Sequence, residues 1–110
     1  MLYLQFTETP RFIKRASKIL SESEIERLQL YIIENPQSGV IIKNSGGMRK
    51  MRWASSGQGK RGGSRVIYHF ATARGRILLL DIYSKDEKPD LSKLELADLR
   101  SQLESWLEQI

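Results

Sequence analysis

The sequence contains no cysteine and a single histidine among its 110 residues. The lack of cysteine excludes a disulfide framework, a thiolate metal site and a cysteine nucleophile. The longest apolar runs, such as Ile77–Leu80, are far shorter than the roughly 18 residues that a membrane-spanning helix needs. The N-terminus also lacks the basic segment followed by an apolar one that marks a signal peptide. We therefore expect a cytoplasmic protein without a membrane segment.

Length and composition are typical of one globular domain. Hydrophobic residues make up 40% of the chain and charged residues 28%, which is the balance of a folded domain rather than of a disordered or low-complexity chain. A length of 110 residues matches the commonest size of a single domain. Residues 1–110 are therefore expected to form one domain.

Acidic residues are missing from the middle of the chain. No Asp or Glu occurs between Asn35 and Leu80, so this window has a net charge of +9, whereas the flanks hold nine basic and all thirteen acidic residues. Solvated protein surfaces usually mix charges of both signs. The separation predicts a surface that binds a polyanion, in preference to a chance run of cations. The basic residues of the window are Lys43, Arg49, Lys50, Arg52, Lys60, Arg61, Arg65, Arg74 and Arg76.

Capping residues predict the start of three helices. Thr9 can cap a helix that has Pro10 at its first position. Ser21–Glu24 and Ser92–Glu95 both have the capping-box pattern, and Asn35-Pro36 ends the second helix because the residue before proline avoids the helical region. The third helix has an apolar stripe that is expected to face the core or a partner groove, and it consists of Leu96, Leu99, Leu103, Trp106, Leu107 and Ile110.

Five strands are predicted around these helices. Four of them lie between the second and third helices, where β-branched and aromatic residues alternate with polar ones and glycine-containing connections separate the runs. This order predicts an α+β domain, in which two N-terminal helices and one C-terminal helix pack on an antiparallel sheet. The predicted strands are about Leu2–Phe6, Val40–Ile42, Met48–Ala54, Ser64–Ala71 and Arg76–Tyr83.

Strand alternation places two cations on the same face of the third predicted strand. Met51 and Trp53 are expected to face the core, so Lys50 and Arg52 project together from the other face, about 6 to 7 Å apart. Two cations at that distance repel each other unless an anion joins them. Arg65 lies near the start of the next strand and comes close to both if the two strands pair through the glycine-rich loop 55–63.

The residue types of the cationic window restrict its chemistry. Because the window has no acid and only His69 as an imidazole, a two-metal nuclease is excluded and a Ser-His-Asp triad is poorly supported. Guanidinium groups can instead bind phosphate oxygens in pairs and offset the charge of a pentavalent transition state. An RNA substrate supplies its own nucleophile, the 2′-OH. We therefore expect a phosphate site that uses neither metal nor cofactor.

Two long segments carry a resemblance to a known family. The segments GGMRKMRWASSGQGKRGGSRVIYHF and ILLLDIYSKDEKPDLS resemble the RelE/HigB toxins of bacterial toxin–antitoxin systems, most closely the HigB-like branch with its G-K-R-G-G-S-R-[VI]-[IV]-Y signature. The resemblance covers nearly the whole chain and implies a RelE-like fold. It also implies a ribosome-dependent mRNA endonuclease that inhibits translation through 2′-OH attack. Its partners would be the ribosome, mRNA and an inhibitory antitoxin, expected to be of the helix-turn-helix type.

The resemblance also implies roles for individual residues. Lys50, Arg52 and Arg65 match the basic catalytic positions of the family. Lys60 and Arg61, in the loop between the strands, would contact RNA phosphates. Two other cations of the window, Arg49 and Arg74, are further candidates for RNA contact.

The general base and the general acid remain open at this stage, because the chain lacks the C-terminal tyrosine of RelE. The candidates are Tyr68, Tyr83, Lys85 and His69, although a histidine in the middle of a strand is more often structural. The alternative function is a noncatalytic RNA- or ribosome-binding module. A domain that only binds other proteins would leave the cationic window unexplained.

Overall fold

The computed structural model of the chain describes residues 5–54 and 63–110. It confirms the predicted α+β class. Part of the predicted first strand lies outside the described residues, including Leu2 and Leu4. Two predicted RNA contacts, Lys60 and Arg61, lie outside them as well. The elements are β1 (Gln5–Glu8), α1 (Pro10–Ile19), α2 (Glu22–Glu34), β2 (Val40–Ile41), β3 (Arg49–Trp53), β4 (Ser64–Ala71), a 3₁₀ turn (Thr72–Arg74), β5 (Arg76–Ser84) and α3 (Lys93–Gln109). Within the described ranges, no helix is long and apolar enough to cross a membrane.

The three predicted helix starts are confirmed by their caps. The Thr9 hydroxyl accepts a hydrogen bond from the backbone N–H of Phe12 at 3.0 Å. Ser21 and Glu24 form a reciprocal capping box, and so do Ser92 and Glu95. Each cap satisfies N–H groups that have no partner within the helix.

Within the described residues, a five-stranded sheet in the order β1-β5-β4-β3-β2 forms the centre of the fold. β2, β3, β4 and β5 pair antiparallel, as predicted, but the edge strand β1 runs parallel to β5. A parallel neighbour is possible here because no hairpin joins the two strands. After β1 the chain passes through both N-terminal helices and enters the sheet at its opposite edge.

Helix α1 completes the edge of β5 where β1 ends. β1 pairs with β5 only as far as Leu79. Beyond that point the Thr9 hydroxyl donates to the carbonyl of Leu80 at 2.8 Å, and Arg15 Nε donates to the carbonyl of Ile82 at 2.9 Å. Side chains of α1 therefore satisfy backbone acceptors that a neighbouring strand would otherwise bind.

The two faces of the sheet pack against different helices. On the first face, α1 and α2 cover a core that includes Met51, Val66 and Tyr68. On the second face, Leu99, Leu103 and Trp106 of α3 are buried on Ile67 and Tyr83. Leu107, which was predicted to share this stripe, is 37% exposed. The part of the second face that lies near the start of β4 also carries charged residues, and this part forms the candidate site.

Candidate phosphate-binding site

The pairing of β3 with β4 brings three predicted cations together. Arg52 lies directly opposite Arg65 in the antiparallel register, two residues along β3 from Lys50. Met51 and Val66 belong to the core beneath α1 and α2, so alternation turns Lys50, Arg52 and Arg65 to the α3 face. We refer to these three residues as the cation triad.

Two neighbouring cavities show that the triad converges. All three of its side chains line a cavity of about 270 Å³, together with Val40 and Pro89. A second cavity of about 240 Å³ is also lined by Arg52 and Arg65, and its other walls are Trp53, Ala54, Gly63 and Lys85. The two arginines therefore stand between two open cavities, where both guanidinium groups can be reached by a ligand.

The triad is largely uncompensated in charge. Within the described part of the chain, the side chains of Arg52 and Arg65 make no hydrogen bond or ion pair. Lys50 Nζ lies 3.3 Å from Oδ1 of Asp90, in a pair whose side chains are 31% and 65% exposed. Like charges directly opposite each other on paired strands are destabilising. An anion that bridged the two guanidinium groups would relieve this repulsion.

Tyr83 lies beside the triad but is not accessible to solvent. It pairs with Arg65 in the β4–β5 register, is fully buried, and has Lys88 Nζ 5.1 Å from its ring centroid. Its hydroxyl makes no close hydrogen bond within the described residues, although it lies near enough to Asp90 to help lower the pKa of that carboxyl. Burial raises the pKa of Tyr83 to about 12, and the nearby charge of Asp90 acts in the same direction, while Arg65 opposes it. At neutral pH the hydroxyl is therefore a proton donor.

Lys85 and Asp90 lie on the segment that follows β5. The Lys85 side chain is exposed and lines the second cavity, while its backbone N–H donates to the carbonyl of Gly63 at 3.2 Å. Partial burial acts to raise the pKa of Asp90, but a hydrogen bond from the Leu91 N–H and the contact with Lys50 lower it overall. Asp90 is thus a carboxylate that stays ionised next to the triad.

Two predicted site residues lie on the opposite face of the sheet. Tyr68 is fully buried, and its hydroxyl donates to the carbonyl of Pro36 at 2.8 Å and accepts from the N–H of Gly39 at 3.0 Å. Arg49 donates to the carbonyl of Gly39 at 2.7 Å. Both side chains hold the turn ahead of β2 in place, so the structure does not bring either of them to the triad.

His69 and Arg74 are also separate from the triad. His69 Nδ1 lies 2.9 Å from the carbonyl oxygen of Gly47, and its ring meets that of Trp106 edge-on at 6.4 Å. It is four residues along β4 from Arg65, or about 13 Å. Arg74 belongs to the turn that follows β4, at the far end of that strand. The structural interpretation of His69 therefore agrees with its contacts.

Sequence reasoning missed two carboxylates. Asp81 interrupts an apolar strand and is fully buried, and a buried charge requires partners; this could have indicated its ion pairs with Arg11 and Arg15. Asp90 lies outside the acid-free window in a segment without regular structure, and no sequence signal marks its contact with Lys50. Among residues 5–54 and 63–110, no group of three or more His, Asp or Glu residues could hold a metal ion.

Comparison with known proteins shows the fold. No protein-family model matches the chain. A solved structure of the E. coli toxin RelE, in the free state and with two arginines replaced by alanine, is similar with a TM-score of 0.55. The match covers 81% of this chain and 90% of the RelE chain, at 17% sequence identity. The protein therefore has a RelE-like fold.

Proposed function

We propose that this protein is the toxin of a toxin–antitoxin module and cleaves mRNA on the ribosome. The observation that carries the proposal is the convergence of Lys50, Arg52 and Arg65 on one cavity. Two of these three cations have no carboxylate partner within the described residues. The similar structure is named as a toxin, which supports the same function here. The signature around residues 59–68 favours the HigB-like branch.

The geometry fits RNA cleavage by the substrate's own 2′-OH. The triad binds the nonbridging oxygens of the scissile phosphate and stabilises the additional charge of the pentavalent transition state. The 2′-oxygen forms a bond to phosphorus while the bond from phosphorus to the 5′-oxygen breaks. The products are a 2′,3′-cyclic phosphate and a 5′-hydroxyl end. The 2′-OH proton passes to a general base, and the leaving 5′-oxygen receives a proton from a general acid.

Tyr83 and Lys85 are both candidates to donate a proton to the leaving oxygen rather than to remove the 2′ proton. Because the pKa of Tyr83 is raised to about 12, its hydroxyl suits protonation of the leaving oxygen rather than removal of the 2′ proton. Tyr83 is covered by Lys88, so the segment after β5 has to shift before this hydroxyl meets a substrate. Lys85 is exposed beside the second cavity and is the alternative proton donor.

The proposal includes the partners and the location of such a toxin. The antitoxin is proposed to be a helix-turn-helix protein that neutralises the toxin by binding it, and the site of action is the cytoplasm, where ribosomes translate mRNA. Lys60 and Arg61 are proposed as additional contacts to RNA phosphates, and so is Arg74, whose side chain is exposed. Arg49 is already bound to backbone carbonyls and contributes less to such contacts.

The test is to induce the protein in bacteria and to map RNA ends. We expect translation to stop, and primer extension to find cuts inside coding regions that leave cyclic-phosphate ends. The Arg65→Ala variant, produced at the same soluble level, is the matched control and should leave mRNA intact. Normal growth with confirmed soluble wild-type protein would refute the proposal. Salt-dependent RNA binding without any cut ends would instead indicate the noncatalytic module.

A further inference from the structure

The segment that joins β5 to α3, residues 85–92 and here called the connector, crosses one side of the triad. Pro89 of the connector lines the same cavity as all three cations. Its neighbour Asp90 contacts Lys50 at 3.3 Å. Within the described ranges, Asp90 is the one carboxylate that contacts the triad. The connector thus places the Asp90 carboxylate at Lys50, where a phosphate group of the proposed RNA substrate would also bind.

The connector is held in this position by contacts away from the triad. Glu87 Oε2 accepts a hydrogen bond from Arg15 Nη2 at 2.6 Å, and Lys88 pairs with Glu95 at the start of α3. Asp90 Oδ1 also accepts a hydrogen bond from the backbone N–H of Leu91 at 2.8 Å, which orients the carboxylate. These contacts therefore fix the position of the connector and the orientation of the carboxylate that meets Lys50.

We propose that Asp90 occupies, in the free protein, the position on Lys50 that a phosphate oxygen of bound RNA takes over, so that the substrate has to displace this carboxylate. The proposal rests on the proposed RNA-binding function. A carboxylate and a phosphate oxygen are alternative anionic partners for the same ammonium group. Since an exposed pair of this kind contributes at most about 1 kcal/mol, a phosphate that also binds Arg52 and Arg65 can displace Asp90.

Asp90 should therefore weaken RNA binding in the wild-type protein. The ion pair of Asp90 with Lys50 stabilises the free state that competes with the complex. Removing the charge is expected to tighten binding by about two- to five-fold, the range that corresponds to one exposed ion pair.

The experiment measures the Kd of a fluorescent 2′-O-methyl RNA oligonucleotide by anisotropy. This RNA lacks the attacking hydroxyl and cannot be cut, so the measurement reports binding whether or not the protein is a nuclease. Asp90→Asn should tighten binding two- to five-fold. Asp86→Asn is the matched control, because it removes the same charge from the same connector at a side chain without a partner among the described residues. It should change the Kd clearly less.

A double-mutant cycle with Lys50→Gln tests whether Asp90 acts through Lys50. In the Lys50→Gln background, Asp90→Asn should no longer tighten binding, because the competing pair is already absent. Equal tightening by Asp86→Asn and Asp90→Asn, tightening that persists without Lys50, or weaker binding by Asp90→Asn would each overturn the proposal. A protein that shows the expected cycle but never cuts 2′-OH RNA on ribosomes would refute the nuclease function and leave the role of Asp90 standing.

Discussion

Two pairs of arginines in this fold have opposite surroundings. Arg11 and Arg15 of α1 contact the buried Asp81, and each has a second carboxylate partner, Glu95 for Arg11 and Glu87 for Arg15. We call these five residues the edge ion cluster. The pair on β3 and β4, Arg52 and Arg65, has no carboxylate among the described residues. The first pair holds α1 against β5, whereas the second is left open to a ligand.

Cavity size does not distinguish the two regions. A cavity of about 570 Å³ lies along α1 and is lined by Arg11, Lys14, Arg15 and Lys18, and it is larger than either cavity at the triad. However, the arginines of α1 already have carboxylate partners, and Asp98 lines the same cavity. Two guanidinium groups that line the same cavities without a carboxylate partner among the described residues, rather than cavity volume, therefore distinguish the candidate site.

The strongest way to separate the two regions is to remove one arginine from each. Arg65→Ala is expected to reduce mRNA cleavage on purified ribosomes by about 10²–10³-fold, the usual cost of losing one transition-state donor. Its free energy of unfolding should stay the same or rise slightly, because the repulsion from Arg52 is removed.

Arg15→Ala is the matched variant in the edge ion cluster. It should lower the free energy of unfolding and change the cleavage rate of the folded protein far less than Arg65→Ala does. Arg15 binds Asp81, Glu87 and the Ile82 carbonyl, and it reaches the triad only indirectly, through Glu87 of the connector. Cleavage rates and urea unfolding of both variants check the contrast. Comparable loss of cleavage in the two variants would contradict it.

The second prediction concerns the centre of the edge ion cluster. Asp81 is fully buried, and burial raises its pKa although Arg11 and Arg15 act to lower it. Asp81→Asn leaves both guanidinium groups without their shared partner. Because these arginines are about a quarter exposed, we expect a loss of about 2 to 3 kcal/mol in unfolding free energy, below the 3 to 5 kcal/mol of a fully buried pair. Urea denaturation measures it, and an unchanged midpoint would contradict it.

Two buried tyrosines allow a finer contrast. Tyr68→Phe removes a hydroxyl with two hydrogen bonds and should cost about 1 to 2 kcal/mol of stability without affecting cleavage. Tyr83→Phe removes a hydroxyl that makes no close hydrogen bond among the described residues and only helps to lower the pKa of Asp90. The loss of stability should therefore be smaller than for Tyr68→Phe, while cleavage falls if Tyr83 protonates the leaving oxygen. Thermal unfolding and single-turnover cleavage measure the two effects. Equal destabilisation by both substitutions would be the contrary result.

Local patterns predicted the helices and the triad, because both depend on short-range geometry. The caps at Thr9, Ser21 and Ser92 use residues three positions apart. Alternation along β3 needs only the knowledge that Met51 faces the core. Pairing of β3 with β4 through the intervening loop then brings Arg65 opposite Arg52.

The sequence could not distinguish Tyr68 from Tyr83, because one irregularity in β5 decides the face of the second. Simple alternation from Ile77 and Leu79 would place Tyr83 beneath α1 and α2. The register between β4 and β5 shifts beside Leu80, however, so that Tyr83 faces α3 and pairs with Arg65. The parallel pairing of β1 and the contact of Asp90 with Lys50 likewise depend on partners distant in the chain, which local patterns do not specify.

The smallest expected effect is the acid sensitivity of Glu95, which belongs to the edge ion cluster. Hydrogen bonds from Lys88, the Ser92 N–H and Arg11 lower the pKa of Glu95 from 4.5 to about 2. A carboxyl with a lowered folded-state pKa adds stability above its unfolded pKa and loses that contribution as the pH falls through the folded pKa. Glu95 should therefore add about 1 kcal/mol at neutral pH, as expected for a partly exposed pair, and this should disappear between pH 4.5 and 2.

Glu95→Gln tests this by urea unfolding across that pH range. The stability difference between wild type and Glu95→Gln should shrink steadily below pH 4.5, whereas the control Glu108→Gln, at an exposed position of the same helix, should show no such convergence. Asp81 contributes with the opposite sign, because its pKa is raised and its share of the stability falls as the pH rises. Parallel curves for wild type and Glu95→Gln would mean that Arg11 and Lys88 do not stabilise the Glu95 carboxylate in solution.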